Sequence, residues 1–351
     1  KMLVVPIVFF SLLIGVANLK NISTLGRIGA KTLSLYLFTT MIAISLSLVI
    51  GHILNPGQGG NISLENTQLK INEAPSFFEV LLDIIPENPF KSLSEGNMLQ
   101  VIFFSLILGG CLSNLKDNKN LLNFFNSMNE LVLKMLSALM TIAPIGIFCL
   151  ISKTFATQGL SSILELLKYF LGVVLIIFIH FLIVYIPLVR FLGKVNIRTF
   201  VNGIKQIVLF AFSTSSSSAT IPVTLQNLNK NFNVKSKISS FTVPLGATIN
   251  MDGTAIMQGM ATIFIANIYN IDLLFSDYLS IILTATLASV GTAGVPGVGI
   301  IMLGMVLNQV GLPLEGIAIV IGVDRLLDML RTSLNVSGDA MVTLVVNKSE
   351  K

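Results

Sequence analysis

Long apolar segments separated by short polar connections follow one another along most of the chain. Segments 33–53, 131–151 and 169–189 contain little or no charge. Each has about the 20 residues that a helix needs to cross a hydrocarbon core of about 30 Å. The pattern predicts an all-α membrane protein with several spanning helices.

Lysine and arginine are unevenly distributed among the connections. The predicted loop 20–31 is basic without acidic residues, which indicates the cytoplasmic side, whereas loop 52–76 is expected outside. The basic connection 190–205 is again cytoplasmic. After it, segment 199–228 begins and ends on the cytoplasmic side, and segment 277–309 begins and ends outside. Neither segment crosses the membrane in this interpretation.

Both segments are interrupted by sequence that weakens helices. Residues 213–218 are all serine or threonine, and residues 291–299 are rich in glycine and contain proline. Unpaired backbone groups cost several kcal/mol each in hydrocarbon, so these breaks must be buried in protein or line a wet cavity. Paired interrupted segments are typical of secondary transporters. We predict an inverted-repeat transporter with two re-entrant helical hairpins and discontinuous helices; ordinary loops in a bundle would leave the charge pattern unexplained.

The predicted organisation has three parts. Residues 1–76 hold truncated N-terminal spanning helices, 77–197 the middle helices, and 198–351 the core transport domain. That core comprises hairpin 198–228, helix 237–268, hairpin 277–309 and helix 314–348. The opening apolar run 2–16 resembles a signal peptide, but its poor cleavage signal favours a membrane helix whose beginning is expected upstream of Lys1.

Composition agrees with a lipid environment. The chain is 53% hydrophobic and 11% charged, against about 25% charged in soluble domains. Its formal charge of +5 is spread over short loops, which argues against nucleic-acid binding. Cys111 and Cys149 lie in or beside apolar segments without a partner motif, so they predict small core side chains rather than a disulfide or a metal site.

The last predicted helix carries an ionic face inside an apolar segment. Asp324, Asp328, Arg331, Asn335 and Asp339 fall within an arc of about 80° at helical spacing. Each charge at that depth costs at least about 2.5 to 3.5 kcal/mol, so such residues usually face a partner, an ion or water. An Asp–Arg pair that merely locks the helices together is the structural alternative. Three carboxylates around one arginine favour bound cations.

A second polar cluster lies in the preceding helix. Residues 250–254 read Asn-Met-Asp-Gly-Thr. An amide, a carboxylate, a helix-loosening glycine and a hydroxyl together offer the hard oxygen ligands and free carbonyls that sodium, or a proton relay, requires. A polar kink without function is the alternative.

These motifs together resemble the dicarboxylate/amino-acid:cation symporter family, the glutamate transporter homologues. The resemblance extends over essentially the whole chain. Four ordered motifs carry it: 213–224 with its serine-rich tip and Ile221-Pro222-Val223-Thr224, 246–254, Gly291-Thr292-Ala293-Gly294-Val295-Pro296-Gly297, and Asp328-Met329-Leu330-Arg331-Thr332 with Asn335 and Asp339. It implies a multi-pass protein of the bacterial plasma (inner) membrane. It also implies a homotrimer in which the middle helices serve mainly as scaffold and for trimerisation.

The resemblance implies a substrate site built around Arg331. Asp328 would hold the substrate amino group, Arg331 its side-chain carboxylate, and Thr332 with Asn335 its main-chain end. The remaining substrate-binding residues would be Ser217, Thr254, Asp324 and the backbone at Val295 and Gly299. The chemistry fits, because arginine offers a bidentate fork to a carboxylate and helix N-termini favour negative groups.

The resemblance also implies sodium as the co-transported ion, held in three sets of ligands. The first set is Asp339 with carbonyls of Gly246, Asn250 and Asn335; the second is the carbonyls of Thr248, Ser289, Val290 and Thr292; the third is Asp252, Asn250, Thr39 and Thr40. The second hairpin would be the outer gate.

This chain departs from the family in two places. Archaeal members carry an arginine at the position of Ser215 and animal members carry one at the position of Met329, so Asp324 lacks its usual neighbouring cation unless Arg325 serves. Gln258 replaces the glutamate that animal members link to potassium counter-transport. We therefore expect no potassium coupling.

The sequence thus predicts a symporter that takes up glutamate or aspartate with sodium by alternating access, rather than an enzyme. Cystine, a neutral amino acid or a C4-dicarboxylate as substrate, and a proton-coupled version, remain alternatives. An ion channel and an intramembrane aspartyl protease are rivals from other classes. The protease would use two buried aspartates sharing a proton, but it would need neither hairpin nor an arginine facing that pair.

Overall fold

The chain folds into helices throughout the part that its computed structural model describes, which is residues 4–17, 22–58, 85–115, 117–289, 294 and 296–350. The helices of these ranges are α1 (Val4–Ala17), α2 (Ile22–Leu54), α3 (Pro89–Glu95), α4 (Met98–Asn114), α5 (Lys119–His180), α6 (Ile197–Thr214), α7 (Ser217–Phe232), α8 (Ser236–Ile249), α9 (Asp252–Ile268), α10 (Phe275–Ser289), α11 (Val298–Gln309) and α12 (Ile317–Ser349). No strand occurs in the described ranges. The predicted all-α class agrees with this architecture.

The predicted cytoplasmic loop 20–31 is wrong in most of its length, because α2 already begins at Ile22. Apolar and small residues on both sides of its cations let the helix continue. Arg27 and Lys31 then find a partner instead of remaining in a free loop. Their side-chain nitrogens lie 2.6 and 2.7 Å from the Glu350 carboxylate, which follows α12.

Segments 131–151 and 169–189, predicted as separate spanning helices, both fall within continuous helical structure. Helix α5 runs for 62 residues and passes into two π-helical turns, Phe181–Tyr185 and Leu188–Leu192. No proline lies between the two segments. The glycine between them, Gly159, costs about 1 kcal/mol in a helix, which is too little to end one.

Two pairs of consecutive helices coincide with the predicted hairpins. Ser215 and Ser216 alone separate α6 from α7, and Ser215 takes the left-handed conformation that ends a helix (φ 51°). Ser216 then caps α7 by accepting a hydrogen bond from the backbone N–H of Ala219. The two helices run antiparallel, since Asn231 near the end of α7 donates to the carbonyl oxygen of Gly203 near the start of α6. Likewise, α10 packs against α11.

The predicted helix 237–268 is interrupted. Helix α8 ends at Ile249 and α9 begins at Asp252, so Asn250 and Met251 have non-helical backbone angles. The sequence predicts that Gly253 loosens the helix, whereas the break lies at Asn250 and Met251, just before that glycine. Gly253 has a different reason to be glycine, because a Cβ there would collide with the Arg331 backbone of α12. The break therefore lies directly against the ionic helix.

Helix α12 is the element around which the others assemble. It is 33 residues long and packs against α5, α6, α8 and α9. Two described segments are long and apolar enough to cross a membrane, Arg27–Leu54 and Leu164–Leu192. Helices Phe275–Ser289 and Val298–Gln309 are apolar but shorter. The sequence predicts more crossings than these two segments provide.

Candidate functional site

Arg331 is the most deeply buried charge of the ionic face. Its side chain lies between α9, α11 and its own helix, with no exposed surface in the folded chain. Nη2 donates to Asp328 Oδ1 at 2.9 Å and lies 2.8 Å from Asp324 Oδ1, although the latter contact is not aligned as a hydrogen bond. Nε and Nη1 have no hydrogen-bond partner among the described residues. Nη2 is therefore paired with the two aspartates, whereas Nε and Nη1 are each free to donate to an acceptor.

The Nη1–Nη2 edge of the guanidinium faces the N-terminus of α11. A Cβ added to Gly299 would lie 3.3 and 3.4 Å from Nη2 and Nη1 of Arg331. Gly297 precedes α11 with φ 84°, and its backbone N–H donates to Asp328 Oδ2 at 3.3 Å. Glycine at these two positions lets the backbone approach the charged pair closely.

The tips of the two helix pairs meet above this cluster. Ser216 Oγ and the backbone N–H of Ser218 both donate to the carbonyl oxygen of Gly294, at 2.7 and 3.1 Å. A Cβ at Gly294 would collide with the Ala247 carbonyl and crowd Ser217. The contact thus brings α7, α8 and the segment before α11 to one point.

A cavity of about 20 Å³ lies beneath the tips. That volume suits about one water molecule. Its lining is polar and comes from both helix pairs, the break and α12: Ser215, Ser217, Met251, Thr254, Gly294, Val298, Gly299, Asp328, Thr332 and Asn335. The structure thus brings the predicted residues Ser217, Thr254, Gly299, Asp328, Thr332 and Asn335 to one cavity. Predicted Val295 lies outside the described residues.

A further buried carboxylate, Asp339, lies against the break. Asn250 Nδ2 donates to Asp339 Oδ1 at 2.9 Å and to the Asn335 carbonyl oxygen at 2.7 Å. A Cβ at Gly246 would fall on Asp339 Oδ1 and the Tyr36 hydroxyl. The predicted first sodium set, Gly246, Asn250, Asn335 and Asp339, is therefore assembled in one place. Asn250 Oδ1 is buried without a partner among the described residues.

The fourth buried carboxylate, Asp252, begins α9 and has donors from two other elements. Thr40 of α2 donates to Oδ1 at 2.6 Å, and Tyr185 donates to Oδ2 at 2.7 Å. His180 Nε2 lies 3.1 Å from the same Oδ2. Thr40, His180 and Asp252 are buried polar side chains, and each has a hydrogen-bond partner here, as buried polar groups normally do.

Other members of the predicted sodium sets are placed differently. Thr39 does not contact Asp252; its hydroxyl donates to the Tyr36 carbonyl oxygen at 3.1 Å. The Asn250 side chain serves Asp339 rather than Asp252. The prediction for Thr248 and Ser289 concerns their backbone carbonyls; their hydroxyls donate to carbonyl oxygens within their own helices, those of Leu245 and Thr286. Val290 and Thr292, predicted for the second sodium set, lie outside the described residues.

The sequence interpretation missed His180, Tyr185 and Tyr36 as neighbours of the carboxylates. The signal for His180 was available, because an ionisable residue in a 20-residue apolar segment usually has a functional or paired role. Tyr185 follows it by about one turn and a half of helix. Among the residues that the structure describes, no group of three or more His, Cys, Asp or Glu side chains is suited to a metal ion.

Arg325 does not serve as the partner of Asp324. Its side chain is exposed, whereas Asp324 is 7% exposed and faces Arg331. The cation next to Asp324 is therefore Arg331 itself, which is shared with Asp328.

Comparison with known proteins gives consistent results. The family model described as the sodium:dicarboxylate symporter family matches residues 1–349. The chain is 37% identical over 359 residues to the proton/sodium-glutamate symport protein of Geobacillus stearothermophilus, covering 100% of this chain and 85% of that protein. It is 36% identical to the proton/glutamate-aspartate symporter of Escherichia coli strain K12, covering 100% and 82%. It is 31% identical to the C4-dicarboxylate transport protein of Bacillus subtilis strain 168, covering 100% and 85%.

Proposed function

Since the chain belongs to the sodium:dicarboxylate symporter family, we propose that it is a secondary active symporter that takes up glutamate or aspartate with sodium. The observation that carries this proposal is the fully buried Arg331, two of whose nitrogens have no partner among the described residues, beside a polar cavity. A buried guanidinium with unpaired N–H groups is suited to a carboxylate, to which it donates charge-assisted hydrogen bonds. The substrate side-chain carboxylate would bind there.

The main-chain end of the substrate would lie deeper in the cavity. Asp328 would receive the amino group, and Thr332 and Asn335 would contact the main-chain carboxylate. The lining supports this assignment because carboxylate, hydroxyl and amide groups come together in one cavity, which Gly294 and Gly299 also line. Ser217, Thr254 and the backbone at Val295 and Gly299 would complete the site.

Sodium would bind at two of the buried carboxylates, Asp339 and Asp252. Asp339 with carbonyls of Gly246, Asn250 and Asn335 offers one oxygen-rich set, and Asp252 with Thr40 offers another. Carbonyls at Thr248, Ser289, Val290 and Thr292 would supply a further one. Sodium charge would offset the buried negative charge that the substrate increases, so substrate and cation binding would favour each other.

Entry of an amino acid requires the helix tips to separate. The cavity of about 20 Å³ is far smaller than an amino acid, since it suits about one water. The two hydrogen bonds that the Gly294 carbonyl oxygen accepts hold the tips together over this cavity. We propose that α6–α7 and α10–α11 are re-entrant hairpins of an inverted repeat, and that α10–α11 is the outer gate of an alternating-access cycle.

The relatives support a transporter and leave the substrate and coupling ion open. Their names include glutamate, aspartate and C4-dicarboxylate, and proton as well as sodium. Because these relatives are transporters, the protease alternative has no support. We place the chain in a bacterial inner membrane as a multi-pass homotrimer, following its resemblance to the family.

The test is uptake by the purified full chain in lipid vesicles, with and without an inward sodium gradient. Wild type is expected to accumulate glutamate or aspartate only with the gradient, and Arg331→Gln to lose that uptake. Arg325→Gln is the matched control, because it removes an exposed arginine from the same helix. Size-exclusion profiles of all variants show whether they remain folded.

Undiminished amino-acid uptake by folded Arg331→Gln would overturn the assignment. Accumulation of succinate but neither amino acid by wild type would replace it with the C4-dicarboxylate alternative. Currents without accumulation would indicate a channel.

A further inference from the structure

Arg331 is shared by two aspartates, and the cluster carries excess negative charge. Asp324, Asp328 and Arg331 together sum to one negative charge, and all three are buried. The other groups that interact electrostatically with Asp324 are Arg325, whose side chain is exposed, and Tyr169 of α5. Tyr169 is uncharged at neutral pH. Arg331 is therefore the buried cation that balances Asp324.

The two aspartates depend on Arg331 to different degrees. Asp328 receives an aligned hydrogen bond from Nη2 and a second from the backbone N–H of Gly297. Asp324 has the 2.8 Å ion pair to the same Nη2, and its Oδ1 has no aligned hydrogen bond from any described residue. Within the described part of the chain, Asp324 thus has no second donor of the kind that supports Asp328.

A substrate carboxylate on Arg331 changes this balance. Under the proposed function, that carboxylate binds at Nη1, on the edge that faces Gly299, and brings a third negative group to one guanidinium. Asp324, which is 7% exposed, would then remain charged beside two other carboxylates. Like charges in contact and removal from water both favour the protonated form of a carboxyl group. Asp328 is protected from this by Gly297 and, under the same proposal, by the substrate ammonium group.

We infer that Asp324 is a proton acceptor of this carrier, taking up one proton from the external solution when the substrate carboxylate engages Arg331. The step forms one O–H bond on the Asp324 carboxyl group and involves no electron transfer. The proton is released on the other side when the substrate leaves and Arg331 again pairs with Asp324. This inference deepens the proposed function and rests on it.

The inference predicts a specific pH dependence of substrate binding. The bound carrier holds one more proton than the free carrier, so the substrate affinity must fall as the pH rises. For one linked proton, the half-saturating substrate concentration rises by up to about tenfold per pH unit. Sodium sites do not produce this slope at a fixed, saturating sodium concentration unless their own groups titrate.

The test measures that slope in wild type, Asp324→Asn, Asp324→Glu and Asp277→Asn. Asparagine keeps the shape of the side chain but cannot take up a proton, so the slope should fall to near zero whatever the absolute affinity. Glutamate should restore it. Asp277→Asn is the matched control, because Asp277 is also a buried carboxyl group and caps the start of α10 by accepting from the Leu274 N–H; its slope should equal that of wild type.

A second measurement needs no variant. Detergent-solubilised wild type in weak buffer with a pH dye should take up about one proton per bound acidic amino acid. No proton uptake, or an unchanged slope in Asp324→Asn, would overturn the inference while leaving amino-acid transport intact. Failure of wild type to bind either acidic amino acid would instead refute the proposed function.

Discussion

Ser216 Oγ donates a hydrogen bond of 2.7 Å to the carbonyl oxygen of Gly294, which lies 78 residues further along the chain. The backbone N–H of Ser218 donates to the same oxygen at 3.1 Å. One carbonyl thus receives two donors from the tip of the opposite helix pair. The Ser216 contact depends on a side chain and the Ser218 contact on the backbone, so a substitution can remove the first contact without the second.

Ser216→Ala should loosen the closed tips. It removes the side-chain donor and also the cap of α7, at a cost of about 1 kcal/mol for each. Because the empty site must open before substrate enters, we expect the substrate half-saturation to fall by about fivefold, the factor that corresponds to about 1 kcal/mol. Ser218→Ala is the control, because its backbone N–H remains. An equal effect of both variants on substrate binding would contradict a role for the Ser216 side-chain hydrogen bond in holding the tips together.

Gly246→Ala should damage the site at Asp339. A Cβ at this position collides with Asp339 Oδ1 and the Tyr36 hydroxyl, and such overpacking typically costs about 1–3 kcal/mol. We expect a lower melting temperature in detergent and a smaller stabilisation by added sodium. Gly110→Ala tests the generic effect of the substitution, because a Cβ there meets nothing within 4 Å. It should melt at or slightly above the wild-type temperature, since alanine is favoured in helices by about 0.5–1 kcal/mol.

Thr40→Val should lower the affinity for sodium more than Thr39→Val does. Thr40 Oγ1 contacts the Asp252 carboxylate, whereas the Thr39 hydroxyl bonds the Tyr36 carbonyl within its own helix. Loss of a hydrogen bond to a charged group costs about 1.5–3 kcal/mol, so we expect the sodium half-saturation of uptake to rise at least about tenfold. Thr32→Val provides a buried control on the same helix, because its hydroxyl bonds Ile28. Equal effects at positions 39 and 40 would contradict the assignment.

Glu350→Gln should remove a pH-dependent contribution to stability. Hydrogen bonds from Arg27 and Lys31 lower the pKa of Glu350 from 4.5 to about 2. A lowered folded-state pKa gives stability that is present above about pH 4.5 and is lost as the pH falls toward 2. The melting temperatures of variant and wild type should therefore differ at neutral pH and converge in acid. High salt should also reduce the difference, because the cluster is near the surface.

Glu95→Gln serves as the reference for that experiment. Glu95 pairs with Lys91 at 3.9 Å with both side chains at least half exposed, and such pairs contribute little. A difference as large at Glu95 as at Glu350, or one at Glu350 that persists unchanged to pH 2, would contradict the assignment.

Helical spacing was sufficient to predict one side of the candidate site. Asp328 and Arg331 are three residues apart on one helix, and the structure pairs them. The break before Asp252 could likewise be anticipated from the polar run 250–254, within about two residues. Local sequence carries these relations because they depend on a single element and its period.

Relations between distant elements were not accessible in this way. Nothing in the spacing of His180 or Tyr185 indicates that they meet Asp252, because that contact depends on how α5 and its π-helical continuation pack against α9. Sequence also left open whether Arg325 or another cation faces Asp324; burial decides this in favour of Arg331. The continuity of α5 and the early start of α2 show that weak breakers and basic residues do not define loops by themselves.

The Glu350 cluster has a practical consequence for distance measurements. It fastens the start of α2 to the end of α12, while Thr40 ties the middle of α2 to the start of α9. Spectroscopic probes at exposed Met41 on α2 and Leu326 on α12 should therefore keep a constant separation throughout turnover. Such a pair supplies an internal ruler against which displacement of any other helix can be calibrated.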